Sequence, residues 1–209
     1  MNLRFPVLVA AALAIAAHSS LVSPAWAQAQ SPRDWPSPPS DPPQGGRGGS
    51  TFSLDTLFNA LKIAPDEATA KAIEDRIWAI WISSGSDTCN LLMSRVKDAT
   101  DDRDYDLAIK LLDAIVTIKP DYVEAWNRRA TLRYIKHDYG LALADIREVL
   151  AREPRHFGAL AGLGLILQDI GDEKHALQAY QAALAIDPHL RNLSDVVKTL
   201  REKVEGRDI

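Results

Sequence analysis

The clearest pattern in this chain lies at residues 157–190, which read FGALAGLGLILQDIGDEKHALQAYQAALAIDPHL. A turn signal, Gly171-Asp172, divides the stretch into two halves. In the second half, small and apolar residues recur at the i, i+4, i+7, i+8 spacing of an amphipathic helix: Ala176, Tyr180, Ala183 and Leu184. Pro188 then ends the pattern, because proline cannot continue a helix interior. The stretch therefore predicts a hairpin of two helices.

The same pattern occurs twice more upstream, at a constant step of 34 residues. The residues that keep this step are Pro120, Pro154 and Pro188, Ala108, Ala142 and Ala176, and Asp104, Asp138 and Asp172. They define three units at 89–122, 123–156 and 157–190. A fixed period of this length is typical of repeat architectures, in which each unit buries its apolar face against the next. The predicted fold class is therefore all-α, an α-solenoid.

Small residues are expected where the two helices of a unit approach each other. Ala130 and Gly164 occupy this place on first helices, and Ala142, Ala176 and Ala183 occupy it on second helices. Larger side chains there would push the helices beyond the usual spacing of about 8–10 Å. The first unit has Val96 and Ile115 instead, which leaves the packing of that hairpin open.

Further helices flank the repeats. Residues 52–88 carry two apolar stripes, one with Leu54, Leu57, Phe58 and Leu61, and one with Ile73, Ile77, Ile80 and Trp81. We interpret this segment as an N-terminal helical pair, either a degenerate repeat or a cap. Residues 191–209 contain one amphipathic helix, with Leu193, Val197 and Leu200 on its apolar side, and a short tail. A solenoid needs a polar outer face at its end, so this helix is expected to cap the last hairpin.

The chain begins with features of a secretory signal peptide at residues 1–27. Arg4 is followed by an apolar run from Phe5 to Ala17 and by the small-x-small motif Ala25-Trp26-Ala27. We expect cleavage after Ala27, or else after Ala29, and a periplasmic location. A retained N-terminal anchor is the alternative. Residues 28–51 are rich in proline and glycine and are interpreted as a disordered linker.

The repeat pattern resembles the tetratricopeptide repeat. The third unit carries the resemblance best, through Leu160, Leu163, Gly164, Leu167, Gly171-Asp172, Ala176, Tyr180, Ala183 and Pro188. The segment from Trp78 to Ser86 is also similar to exported repeat proteins of alphaproteobacteria. The resemblance implies a right-handed superhelical stack that binds a protein or peptide partner on its inner face.

The resemblance also implies which residues line that inner face. They are predicted to be Met93, Lys97, Asn127, Arg128, Thr131, Tyr134, Ile135, Ala161, Leu165 and Gln168. Met93, Tyr134, Ile135 and Leu165 are apolar residues that would then face solvent, which is typical of a binding surface. Covering of this face by the capping helix or by the N-terminal pair is the alternative.

No group of residues indicates catalysis, a cofactor or a metal site. Cys89 has no histidine beside it in sequence, and His137, His156, His175 and His189 are interpreted as surface residues. The acidic run around Asp102, Asp104 and Asp106 alternates as in a calcium loop, but Leu107 stands where that loop needs glycine. We interpret the run as a solvated turn.

Charge limits the partner classes further. The formal net charge of −4 argues against a nucleic-acid partner. A basic cluster in the second unit is interpreted as a solvated face, with an anionic partner surface as the alternative: Arg128, Arg129, Arg133, Lys136, Arg147, Arg152 and Arg155. The sequence thus predicts a non-enzymatic periplasmic scaffold or adaptor in cell-envelope integrity. A chaperone-like accessory subunit of a secretion or cytochrome-maturation machine is the alternative. The oligomeric state is left open.

Overall fold

The structure is a computed structural model that describes residues 53–206. Within these residues the chain forms nine helices and no strand: α1 (Leu54–Lys62), α2 (Glu67–Ile82), α3 (Asp87–Asp101), α4 (Tyr105–Ile118), α5 (Val123–Ile135), α6 (Tyr139–Arg152), α7 (Phe157–Asp169), α8 (Glu173–Ile186) and α9 (Arg191–Glu205). The predicted all-α solenoid is confirmed. The predicted signal peptide and linker lie outside the described residues.

The three repeats are the hairpins α3–α4, α5–α6 and α7–α8, and each turn contains one residue in the left-handed region. Arg103, His137 and Gly171 have φ values of 60°, 62° and 86°, and they are spaced at the repeat period. The aspartate that follows each of them begins the second helix. Asp104 Oδ1, for example, accepts a hydrogen bond of 3.0 Å from the backbone N–H of Leu107. The acidic run is therefore a helix start.

At two facing positions inside each hairpin, the sizes of the side chains change together from one repeat to the next. Gly164 lies against Tyr180 in the third repeat. The equivalent residues are Ala130 and Ile146 in the second repeat, and Val96 and Leu112 in the first, and both pairs share a buried cluster. As the residue on the first helix grows, its partner on the second helix shrinks or changes shape. This exchange answers the open question about Val96, which packs in the core of its hairpin.

The N-terminal pair α1–α2 does not simply stack in front of the first repeat. It packs along the loops that end the three repeats. Tyr122, at the end of the first repeat, donates a hydrogen bond of 2.6 Å to the carbonyl oxygen of Ile82. The rings of Trp81 and His156, which ends the second repeat, stack with centroids 4.1 Å apart. The apolar core of the pair includes Phe157 and contacts Leu190 from the third repeat.

The C-terminal helix α9 closes the other end of the array, as predicted. Leu193, Val197 and Leu200 are buried in one cluster with Leu177 and Tyr180 of α8. The polar side of α9 faces solvent and includes Lys198, Arg201 and Lys203. Lys203 forms an ion pair with Glu173 at the start of α8. In residues 53–206, no helix combines the length and apolar character needed to span a membrane.

Candidate functional site

The predicted inner-face residues divide by their position along the first helix of each repeat. Those near the helix starts are buried: Met93, Asn127, Arg128 and Ala161. Those further along are partly exposed: Lys97, Thr131, Tyr134, Ile135 and Leu165. Gln168 is exposed. Met93 and Ala161 are buried in the cores of their own hairpins, and Asn127 and Arg128 bind the buried carboxylate of Glu124. The accessible residues of the predicted inner face are therefore those on the later turns of these helices.

The prediction that Met93 faces solvent is wrong. Its side chain is fully buried in the core of the first hairpin, in one cluster with Cys89, Val96 and Tyr122. Burial of a methionine in such a place is a packing role, because the flexible thioether fills irregular gaps between helices. Met93 therefore offers no surface to a partner. Cys89, in the same cluster, is a free and buried thiol.

Arg128 belongs to a buried ionic cluster at the start of α5. Its Nε donates a hydrogen bond of 2.8 Å to Glu124 Oε1, and Asn127 Nδ2 donates one of 3.0 Å to Glu124 Oε2. His156 Nε2 lies 3.7 Å from the same Oε2 atom. His156 Nδ1 accepts a hydrogen bond of 3.0 Å from the backbone N–H of Ala159, so the proton of the neutral ring is on Nε2.

These contacts keep Glu124 ionised although it is fully buried. Burial alone would raise the pKa of a carboxyl group, because it disfavours the charged form. The His156 ring and the Arg128 guanidinium outweigh that effect and hold the pKa of Glu124 below its ordinary value. The interpretation of His156 as a surface residue is thus wrong. The histidine is buried beneath Trp81 and starts helix α7.

The rest of the predicted basic cluster is also largely neutralised within the chain. Arg129 binds Asp145 of α6 with two hydrogen bonds, of 3.0 Å and 2.7 Å, and Asp113 of α4 with one of 2.7 Å. Arg133 binds the same Asp145 at 2.7 Å. The fork of an arginine is suited to such paired contacts with carboxylates. The solvated-face interpretation is therefore wrong for Arg128 and Arg129, which join α5 to its neighbours.

The accessible part of the inner face carries hydrogen-bonding groups from adjacent repeats. Tyr134 of the second repeat donates a hydrogen bond of 2.8 Å to Asp169 Oδ2 of the third. Burial and this carboxylate raise the pKa of Tyr134, so its hydroxyl stays protonated and remains a donor. Gln168 Oε1 accepts a hydrogen bond of 3.1 Å from Tyr180. We define the open strip as Lys97, Thr131, Tyr134, Ile135, Leu165 and Gln168.

Comparison with known proteins agrees with this architecture. A family model described as "Tetratricopeptide repeat" matches residues 128–190, which span most of the second repeat and all of the third. A TPR repeat-containing protein from Rhizobium etli is 41% identical over 153 residues, which are 73% of this chain and 75% of the relative. The chain belongs to the tetratricopeptide repeat family. Its relationship to an alphaproteobacterial protein was expected from the sequence.

Membership in the tetratricopeptide repeat family supports a role as a protein–protein interaction scaffold. Proteins of this family are generally scaffolds without catalytic activity. Within residues 53–206, no three His, Cys, Asp or Glu side chains are arranged to hold a metal ion. In the open strip of this tetratricopeptide array, Tyr134 bonds to Asp169 of the next repeat, and both side chains remain reachable from solvent.

Proposed function

We propose that this protein is exported to the periplasm and recruits a protein partner of the cell envelope through the open strip. The leader pattern of residues 1–27 supports export, and the proline- and glycine-rich stretch 28–51 supports a spacer between the leader and the repeats. Family membership supports a protein partner. The accessible turns of the inner face supply the contact surface.

One observation carries the choice of surface. Tyr134 and Asp169 form a hydrogen bond between two repeats at a place where both side chains still contact solvent. Such a pair, flanked by Thr131 and Gln168, offers donors and acceptors to the backbone of an extended peptide, while Leu165 and Ile135 offer apolar contact. The basic residues nearby already have carboxylate partners, so the strip is not suited to a strongly anionic ligand.

A photo-crosslinking experiment tests this surface. A benzoyl-phenylalanine residue replaces Gln168 in the open strip or, as a matched control, the exposed Gln178 on the second helix of the same repeat. The full chain is expressed in its native host and irradiated, and adducts are identified by mass spectrometry. We expect one envelope protein to crosslink at position 168 and not at position 178. Equal crosslinking at both positions, or none at 168, contradicts the proposed surface.

Export is tested separately on the same cells. Fractionation followed by mass measurement of the intact protein should give a periplasmic form that begins at Gln28 or at Gln30. A form that keeps Met1 and stays in the cytoplasm contradicts the proposed location. The crosslinking test of the open strip does not depend on the result of fractionation, because crosslinking detects contact in whichever compartment the protein lies.

A further inference from the structure

Helix α2 contacts the ends of all three repeats, although it precedes the first repeat in the chain. Ile82 contacts Tyr122 at the end of the first repeat, and Trp81 contacts His156 at the end of the second. Further toward its start, Glu74 lies between Ile73 and Ile77, which share an apolar cluster with Ile186 from the end of the third repeat. In this junction Glu74 interacts with Asp187, the residue after Ile186. The hydrogen bond from Tyr122 and the ring stack of Trp81 on His156 are favourable, whereas the third contact brings two carboxyl groups together.

Asp187 has a structural reason to be buried. Its Oδ1 atom accepts a hydrogen bond of 3.0 Å from the backbone N–H of His189. One repeat earlier, Glu153 accepts the equivalent hydrogen bond of 3.0 Å from the N–H of Arg155. A carboxylate therefore holds the inter-repeat loop in both places. The other oxygen of Asp187, Oδ2, is buried without a hydrogen-bond partner within residues 53–206.

On balance, the surroundings of Glu74 favour the protonated form of its carboxyl group. Burial, the charge of Asp187 and the charge of Asp75 on the same helix together raise the pKa of Glu74 to about 7. Lys71, one turn earlier, acts in the opposite direction. Burial raises the pKa of Asp187 as well, while His189 opposes that shift. A single proton on the pair gives the unpartnered oxygen a donor.

We propose that α1–α2 is a latch whose contact with the repeats is closed by one proton held between Glu74 and Asp187. With the proton, the pair forms a carboxyl–carboxylate hydrogen bond, and α2 stays seated on the inter-repeat loops. Without it, two like charges oppose each other inside the junction, and the latch loosens. The proton comes from water and returns to it, so the exchange needs no other reactant.

The latch controls access to the buried half of the inner face. Asn127, which the resemblance places on that face, binds Glu124, and Glu124 lies 3.7 Å from His156, whose ring stacks on Trp81 of α2. Opening would extend the open strip toward Asn127 and lengthen the surface offered to a partner. This consequence rests on the proposed function. The proton dependence of the contact does not, because it concerns the chain alone.

The direction of the pH effect follows from linkage. A detached Glu74 titrates near the ordinary pKa of glutamate, about 4.3, whereas the docked residue holds its proton to about pH 7. Docking is therefore strongest at low pH, weakens as the pH rises between these two values, and is constant above them. Since Glu74 is partly exposed, we expect a change of about 10-fold in the docking equilibrium.

Hydrogen–deuterium exchange of the full-length chain tests the latch without any partner. Exchange of residues 67–82 is followed by mass spectrometry from pH 5 to pH 8, corrected for the intrinsic pH dependence of exchange, with residues 139–152 as the internal reference. We expect protection of α2 to fall about 10-fold over this range relative to α6. In Glu74→Gln and in Asp187→Asn the fall should disappear, because neither pair can develop two charges.

The control is Asp75→Asn, which removes an exposed carboxylate next to Glu74 and should leave most of the pH dependence in place. The proposal is overturned if protection of α2 is independent of pH in the wild-type chain, or if Glu74→Gln keeps the wild-type dependence. A dependence that survives in Glu74→Gln and vanishes in His156→Asn would assign the proton to the histidine, and it would also overturn the proposal. A failure of partner crosslinking at position 168 would leave these exchange results unchanged.

Discussion

The aromatic ring of Tyr180 lies directly against the backbone of Gly164. A Cβ atom built on Gly164 would come within 2.4 Å of the ring atoms Cδ1 and Cε1. Glycine is therefore required by space, since residue 164 is inside helix α7 and has no unusual backbone angle that glycine alone could adopt. In the second repeat the pair is Ala130 with Ile146, so a methyl group there faces a smaller side chain.

The first prediction concerns this pair. Gly164→Ala should lower the free energy of unfolding by about 1–3 kcal/mol, because the rigid ring must move to admit the methyl group. In a Tyr180→Ile background, which recreates the pair of the second repeat, the same change should lower it by less than about 0.5 kcal/mol. Urea unfolding of the four chains gives the coupling. Additive effects of the two substitutions would contradict the steric explanation.

The second prediction concerns the turns between helices. Arg103 adopts a φ of 60°, where the third repeat has Gly171 at 86°. A left-handed conformation costs a residue with a side chain about 1 kcal/mol, and glycine avoids that cost. Arg103→Gly should therefore raise the free energy of unfolding by up to about 1 kcal/mol. Gly171→Ala is the reverse control and should lower it by a similar amount, as measured by thermal unfolding. A loss of stability in Arg103→Gly would show that the arginine side chain has an essential contact.

The residue pattern was sufficient for the hairpins and insufficient for the placement of the N-terminal pair. The 34-residue step, the turn aspartates and the terminal prolines all describe contacts between neighbours in sequence, and the structure confirms them. Docking of α2 on His156 and Leu190 joins parts of the chain that are far apart. No local period encodes such a contact, because the stripe with Ile77 and Trp81 only shows that some apolar surface must be covered.

The burial of charged side chains was the other feature that the sequence did not predict. Arginine and histidine are usually exposed, so the sequence predicts Arg128 for the partner site and His156 for the surface. The spacing of Glu124 and Arg128, four residues apart on one helix, was the available signal for an ion pair. It could not indicate burial, because burial results from α2 and the next repeat. The open strip remains a prediction, since it depends on a partner that the chain does not contain.

The third prediction separates two carboxylates that bind the same arginine. Asp145 is buried and holds both Arg129 and Arg133, whereas the side chain of Asp113 is 51% exposed. Asp145→Ala leaves arginines without a buried partner and should lower the free energy of unfolding by about 3 kcal/mol. Asp113→Ala should change it by less than about 1 kcal/mol, because solvent screens an exposed pair. Chemical unfolding of both variants checks the ratio, and equal effects would contradict the role of burial.

The fourth prediction is a pH dependence that arises from Glu124. The contacts with His156 and Arg128 hold the pKa of this buried carboxyl below its ordinary value in the folded chain. The stabilisation is therefore fully present above about pH 4.3, the ordinary pKa of glutamate, and is lost as the pH falls through the lower folded value. Glu124→Gln should lower the free energy of unfolding by about 3 kcal/mol at pH 7, where it removes one partner of a buried pair. The difference between wild type and variant should shrink as the pH is lowered below about 4 in urea unfolding experiments.

Asp106→Asn serves as the control, because Asp106 is exposed and its ion pair with Lys136 lies at the surface. A constant difference between wild type and Glu124→Gln from pH 7 to pH 3 would mean that folding leaves the pKa of this carboxyl unchanged, and the ionic account of the α5 cluster would then be wrong.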